Sequence, residues 1–237
     1  MNHSQNIGAA FLVAARQRPN EIALLDEESA VTFGQMADLV QNFSLHFQRH
    51  GVSQNSTVAI KSDDSTVIIA TVIATSLLGC RWIYVSKHLV ENTPIEVSHY
   101  FESDSSNGTM HANAILIDEE WSNRPNGFEL LENITFSGFT DENDPWLILP
   151  SSGTTGTPKL MALSSQNLCD RIKATSAEFA SAPSRCVFLF ALHSPPAVIR
   201  ALSALMAGWG LILSADPMFW HKVNVSHVFG SPIQVAN

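Results

Sequence analysis

Residues 145–164 read PWLILPSSGTTGTPKLMALS. An apolar run of strand length enters a loop, and a second strand-like run, 159–164, leaves it. Seven of the nine loop residues, 151–159, are Ser, Thr or Gly, and the loop ends on a lysine. Gly153 and Gly156 permit positive φ and close backbone approach. Consecutive backbone N–H groups can then face one concavity, which suits an anion. Ser151, Ser152, Thr154, Thr155 and Thr157 add hydroxyl donors, and Lys159 adds a full positive charge. Together these describe a grip on a polyphosphate. On composition alone, a plain surface loop is an equal alternative. A Walker loop is excluded, because that pattern needs Gly-Lys-Ser/Thr, and here Pro158 precedes the lysine and Leu160 follows it.

Outward from this loop, apolar runs of strand length alternate with segments of helical period. Strands are expected at 21–26, 57–61, 81–86, 112–118, 159–164, 185–192, 209–214 and 225–230. Thr32 followed by Gln35 has the form of a capping box, opening a helix that should stop at Gly51. A second helix should start after Asp63 and Asp64 and end at Gly79. Thr93–Glu96 is another capping box, with Pro94 at the first helical position, and predicts a helix through about residue 102. Two more helices are expected over 164–181 and 197–208. Residues 119–144 are polar and rich in Asn and Gly, and read as surface loop with at most one short edge strand. The alternation predicts an α/β fold with largely parallel sheets flanked by helices.

The chain has 237 residues, 45% hydrophobic and 15% charged, which is ordinary globular composition. Its formal net charge is −9 with 13 Lys and Arg, and no run of cations. Nucleic acid and anionic membrane are therefore poor partners, since binding either relies on clustered positive charge. The N-terminus lacks the basic and apolar regions of a signal peptide. The apolar stretch 66–80 is short for a membrane span, and 197–213 carries Arg200, so both are expected to be buried core. Cys80, Cys169 and Cys186 form no metal or redox spacing, and free thiols in a cytoplasmic protein are expected.

The stretch ILPSSGTTGTPK (148–159) resembles the signature of the AMP-forming adenylate synthetases. That superfamily holds acyl-CoA synthetases, the adenylation domains of nonribosomal peptide synthetases, and luciferase. The surroundings agree. Residues 16–52 resemble the family's opening, SLLGCRWIYVS (76–86) its glycine-bearing strand entry, and 191–213 the histidine-bearing segment of the acyl-CoA synthetase branch. VSHVFGSPIQ (225–234) resembles a later strand and helix start, so the resemblance runs over nearly the whole chain in the family's order. There are departures: Ser165 stands where a histidine is usual, and Leu160 where a glycine is usual.

The resemblance implies the front part of the large N-terminal domain of an enzyme that activates a carboxylate with ATP and magnesium. A carboxylate oxygen attacks the α-phosphorus, giving an acyl-adenylate and pyrophosphate, and the acyl group then passes to a thiol such as coenzyme A or phosphopantetheine. By resemblance, Ser151, Ser152, Gly153, Thr154, Thr155, Gly156 and Lys159 would hold the β- and γ-phosphates, and His193 would line the acyl pocket. A satisfied or surface histidine is the competing reading of His193. HSPPAVI (193–199) carries no acid to pair with a substrate ammonium, which favours an acyl or aryl carboxylate over an α-amino acid. The adenine-binding, magnesium-binding and ribose-binding segments, and the small C-terminal domain with its lysine, have no counterpart in residues 1–237. No catalytic residue and no metal ligand is therefore assigned in this stretch. The magnesium ligand and the partner second half are expected outside it.

Ser231 and Pro232 would open a helix that reaches Asn237 after little more than one turn. A helix that short is not stable alone, so a fragment or a natural truncation is expected, with a frayed tail as the alternative. Two or three charge-assisted hydrogen bonds contribute about 1.5–3 kcal/mol each, less the cost of ordering the loop. The expectation is ATP binding at about millimolar affinity or weaker, without adenylation. The competing readings are a truncated non-catalytic relative that binds a ligand or partner, and an unrelated phosphate-binding α/β domain.

Overall fold

The computed structural model describes residues 6–85, 95–103, 111–122, 138–151, 159–179 and 184–231. The first elements are α1 (Ile7–Gln17), β1 (Ile22–Leu25), β2 (Ala30–Thr32), α2 (Phe33–Arg49), β3 (Thr57–Lys61), α3 (Ser65–Leu78), β4 (Arg81–Tyr84) and β5 (His99–Ser103). There follow β6 (Ala114–Ile117), the single turn α4 (Glu119–Ser122), β7 (Pro145–Ser151), β8 (Lys159–Ser164) and α5 (Ser165–Thr175), which runs into a 3-10 turn. The last are β9 (Arg185–Phe188), α6 (Pro195–Met206), β10 (Gly210–Ile212), α7 (Pro217–Lys222) and β11 (His227–Phe229).

The strands form two sheets, ordered β11-β9-β10-β1-β2 and β6-β5-β3-β4-β7-β8. Each is parallel except for one antiparallel edge strand, β2 in the first and β8 in the second. Helices fill the space between them. One side of α3 lies on β3, β4 and β7, and α1 and α2 pack on it as well. α2 reaches β1 and β2 of the other sheet, and α6 touches β9 and β10 as well as β7. The helix α3 is apolar all round, as expected of a helix buried on every side. In the second sheet Val58, Ile60, Trp82, Leu147 and Leu149 face the main core, while Ala59, Ile83 and Ile148 face a smaller apolar cluster on the opposite side. A strand buried on both faces reads as a continuous apolar run, which is why WLIL is so legible.

Local signals set the ends. Gln35 N–H donates to Thr32 Oγ1 (3.2 Å) and Thr32 N–H to Gln35 Oε1 (2.9 Å), so the capping box that opens α2 is closed on both sides. Asp64 Oδ1 accepts from the N–H of Thr66 at the start of α3. Gly79 ends α3 at φ +69°, a left-handed cap. The two buried threonines of α3, Thr71 and Thr75, are both used. Trp82 Nε1–H donates to Thr71 Oγ1 (3.0 Å) and Trp146 Nε1–H to Thr75 Oγ1 (3.1 Å). The two hydroxyls in turn donate to the carbonyls of Ile68 and Val72.

The expected helix through residue 102 is a strand instead. Thr93 and Pro94 lie outside the described residues, but His99–Ser103 is β5, parallel to β3 with Ile60 opposite Phe101. Alternation outweighs the capping signal there: Phe101 enters the main core, while Ile95, Val97 and Tyr100 pack on the outer cluster. β9 is shorter than expected, because residues after Phe188 turn towards α6. The helices α1 and α7, the edge strand β2 and the single turn α4, which opens the stretch expected to be loop, were not foreseen. Residues 232–237, where another helix was expected to begin, lie outside the described residues.

Candidate functional site

β7 and β8 pair antiparallel along their whole length, ending with Ser151 opposite Lys159. β7 also runs parallel to β4, with Ile83 opposite Ile148. The chain therefore leaves the sheet at Ser151 on the same end as the carboxyl ends of β3, β4, β5 and β6, and returns at Lys159. That end of a parallel sheet is where α/β proteins bind ligands. Ser152, Gly153, Thr154, Thr155 and Gly156, all expected phosphate contacts, lie outside the described residues. Ser151 and Lys159 are placed by their backbone pairing.

The neighbouring strand ends are polar. Lys61, at the end of β3, pairs with Glu102 of β5 at 3.1 Å, and both are largely buried. Ser103 Oγ–H donates to Ser62 Oγ (2.8 Å). Tyr84, the last residue of β4, sends its hydroxyl to the Ser62 carbonyl at 3.4 Å. A cleft of about 430 Å³ opens beside the ends of β3, β5 and β6, lined by Asp64, Val67, Ser103, Ile117 and Asp118.

His193 enters from the other sheet. It sits in the turn between β9 and α6, where Ser194 N–H donates to the Ala191 carbonyl (2.8 Å) and Pro195 starts the helix. Its imidazole lies flat on the Tyr84 ring, with centroids 3.7 Å apart and planes 2° from parallel. Burial holds the His193 pKa below the ordinary histidine value, against an opposing pull from the Asp63 carboxylate. Burial likewise pushes the Tyr84 phenol up, and Asp63 adds to that. Tyr84 and Asp63 escaped the sequence reading. The usable signal was positional: both sit at the carboxyl end of an expected parallel strand.

The remaining chemistry is quiet. Cys80, Cys169 and Cys186 are buried thiols. Burial pushes the Cys80 and Cys186 thiols up to about 12, so neither is a nucleophile at neutral pH. Among the described residues, no three His, Cys, Asp or Glu side chains are grouped to hold a metal ion, and no helix is long and apolar enough to cross a membrane. A cleft of about 460 Å³ lined by Asn20, Glu21, Arg185 and Gly210 lies at the amino ends of β1, β9 and β10, the opposite end of that sheet from His193.

Known proteins share this layout. The fold is similar to that of O-succinylbenzoate coenzyme A synthetase from Bacillus subtilis in complex with AMP, with a TM-score of 0.78 and 17% identity over 96% of this chain and 49% of that one. Coronafacic acid ligase from Pectobacterium brasiliense aligns with a TM-score of 0.76 and 14% identity, over 98% of this chain and 51% of that one. In sequence, the chain is 23% identical to gramicidin S synthase 2 of Brevibacillus brevis over 247 residues, covering 97% of this chain and 5% of that protein. It is 24% identical to the D-alanine–D-alanyl carrier protein ligase of Lactococcus lactis, covering 84% of this chain and 41% of that ligase. The chain thus spans about half the length of these solved structures and less of the curated relatives. A model of the AMP-binding enzyme family matches residues 11–234, which takes in both sheets, the β7–β8 hairpin and His193. With nearly its entire length matched in this way, the chain belongs to the AMP-binding enzyme family.

Proposed function

We propose that this chain is the N-terminal part of an ATP-dependent ligase that forms an acyl-adenylate from an acyl or aryl carboxylate. The observation that carries this reading is the hairpin: Ser151 and Lys159 face each other across the last rung of β7 and β8, at the carboxyl end of a parallel sheet, in a chain of the AMP-binding family. A loop held at both ends in this way fits a polyphosphate, because hydroxyls, backbone N–H groups and a lysine between those ends would be available to one anion at that end of the sheet. Ser151, Ser152, Gly153, Thr154, Thr155, Gly156 and Lys159 would grip the β- and γ-phosphates, and the loop would stabilise charge on the departing pyrophosphate. ATP would supply the activated phosphorus. His193 would face the carboxylate's acyl or aryl group. The solved structures of similar fold include the N-terminal subdomain of Klebsiella oxytoca NpsA with 3-hydroxybenzoyl-AMSN, which favours an aryl or acyl substrate.

Coenzyme A or a phosphopantetheine carrier would accept the acyl group in the complete ligase. The magnesium ligand and the residues that hold adenosine would come from a second half, which would also be this chain's partner. By itself the chain would bind ATP at about millimolar Kd or weaker and would not adenylate. The second reading is a non-catalytic relative that binds a ligand or partner. Saturation-transfer NMR with ATP tests the loop: wild type should show contacts that Lys159→Ala weakens at least threefold. Equal contacts in both proteins would remove Lys159 from the site. ATP–pyrophosphate exchange by the purified chain would overturn the statement that it does not adenylate.

A further inference from the structure

Tyr84 and His193 come from different sheets and are far apart in sequence, yet their rings are parallel within 2° at 3.7 Å. That is van der Waals contact over a whole ring face. Tyr84 is itself immobilised: it is 7% exposed, its ring leans on Trp82, and its hydroxyl donates to the Ser62 carbonyl. Trp82 is fixed by Thr71 of α3. The chain of contacts therefore runs from a buried helix, through two rings of β4, to an imidazole in a turn that is otherwise held by backbone.

We propose that Tyr84 is a positioning residue for His193, fixing the plane of the imidazole so that one face is closed and only its edge and other face are offered to a carboxylate. This deepens the reading of His193 given under the proposed function and rests on it. A histidine in a turn has two side-chain torsions and samples several rotamers, and a ring stacked face to face loses all but one of them. The ring it stacks on is anchored through the sheet. The groups that face His193 are Tyr84 from β4 and Asp63 at the end of β3. Tyr84 shields the imidazole from water and so favours its neutral form, while the exposed Asp63 carboxylate favours the charged one.

The test is NMR of the full chain with labelled histidines, on wild type and on Tyr84→Phe, Tyr84→Leu and Tyr84→Ala. Stacking should move the His193 ring protons upfield in wild type and in Tyr84→Phe, which keeps the ring without its hydroxyl. Leucine keeps most of the buried volume without a ring, so it separates stacking from folding. Tyr84→Leu and Tyr84→Ala should lose the upfield shift, and Tyr84→Ala should bring the His193 pKa up towards the ordinary value of ~6.5. Sodium benzoate, titrated to millimolar concentration, should shift the His193 resonances in wild type and Tyr84→Phe and at least threefold less in Tyr84→Leu. Ring shifts that are unchanged in folded Tyr84→Leu would overturn the positioning role while leaving the acyl-site reading intact. An intact stack with no response to benzoate in wild type would overturn the acyl-site reading, and the purpose of the stack with it.

Discussion

The threonine–tryptophan ties on α3 make a quantitative prediction. Thr75→Val keeps the shape of the side chain and removes only the hydroxyl. Trp146 is fully buried, so its indole N–H then has no water to turn to. An unsatisfied buried donor costs about 1–3 kcal/mol. The Val72 carbonyl, which also loses the hydroxyl, keeps its place in the helix ladder and adds little. The methyl that replaces the hydroxyl recovers up to about 0.8 kcal/mol of burial. With that full recovery the net loss should be about 0.2–2.2 kcal/mol, or up to roughly 9 °C in midpoint for a chain of this length. Urea unfolding followed by far-ultraviolet circular dichroism measures it without relying on tryptophan emission. The decisive arm is a double-mutant cycle with Trp146→Phe, which deletes the donor. In that background Thr75→Val should be neutral or slightly stabilising, giving a coupling of about 1 kcal/mol or more. Equal costs of Thr75→Val in both backgrounds would refute the claim that the hydroxyl serves the indole.

Three further outcomes are expected. Gly79→Ala places a Cβ 1.7 Å from the Gly138 carbonyl oxygen in a left-handed conformation, so backbone must move, and the cost should be about 3 kcal/mol in thermal unfolding. Lys61→Met leaves the buried Glu102 carboxylate without its ion-pair partner and should cost about 3 kcal/mol, more than the double change Lys61→Met with Glu102→Leu. Burial lowers the pKa of both His46 and His193 in the folded chain. A lowered folded value means the unfolded chain binds protons first as pH falls. Their contribution is therefore complete above pH ~6.5 and is lost below it, so the unfolding midpoint should drop between pH 7.5 and pH 5.5, and less steeply in His46→Asn with His193→Asn.

Where a signal was local, the sequence was readable. The Thr32–Gln35 box, the Asp64 cap and Gly79 set the ends of α2 and α3, and WLIL and KLMALS flank the loop as β7 and β8. Where tertiary contacts decide, it was not. A local cap signal at Thr93 competed with the alternation of Tyr100 and Phe101, which face opposite sides of the sheet, and sheet pairing prevailed. The start of α1 is held by α3, through Asn6 and the Gly8 N–H on Ser76, and nothing in the stretch IGAAFLVAARQ announces that. His193 could be named from its segment, but Tyr84 could not. Their contact exists only once β4 and the β9–α6 turn have been brought together from two sheets.

The order of strands in the first sheet also has a consequence in time. β1 and β2 are made early, yet the parallel partner of β1 is β10, and the loop after β1 is tied to it through Glu27 and Ser214, 187 positions apart. At a synthesis rate of about 5–20 residues per second, the β1–β2 hairpin waits roughly 10–40 s for that partner. The second sheet is complete once residue 164 has been made. The nascent chain therefore carries an open apolar strand edge until residues 210–212 have been made, and β1 is covered only after every strand of the second sheet.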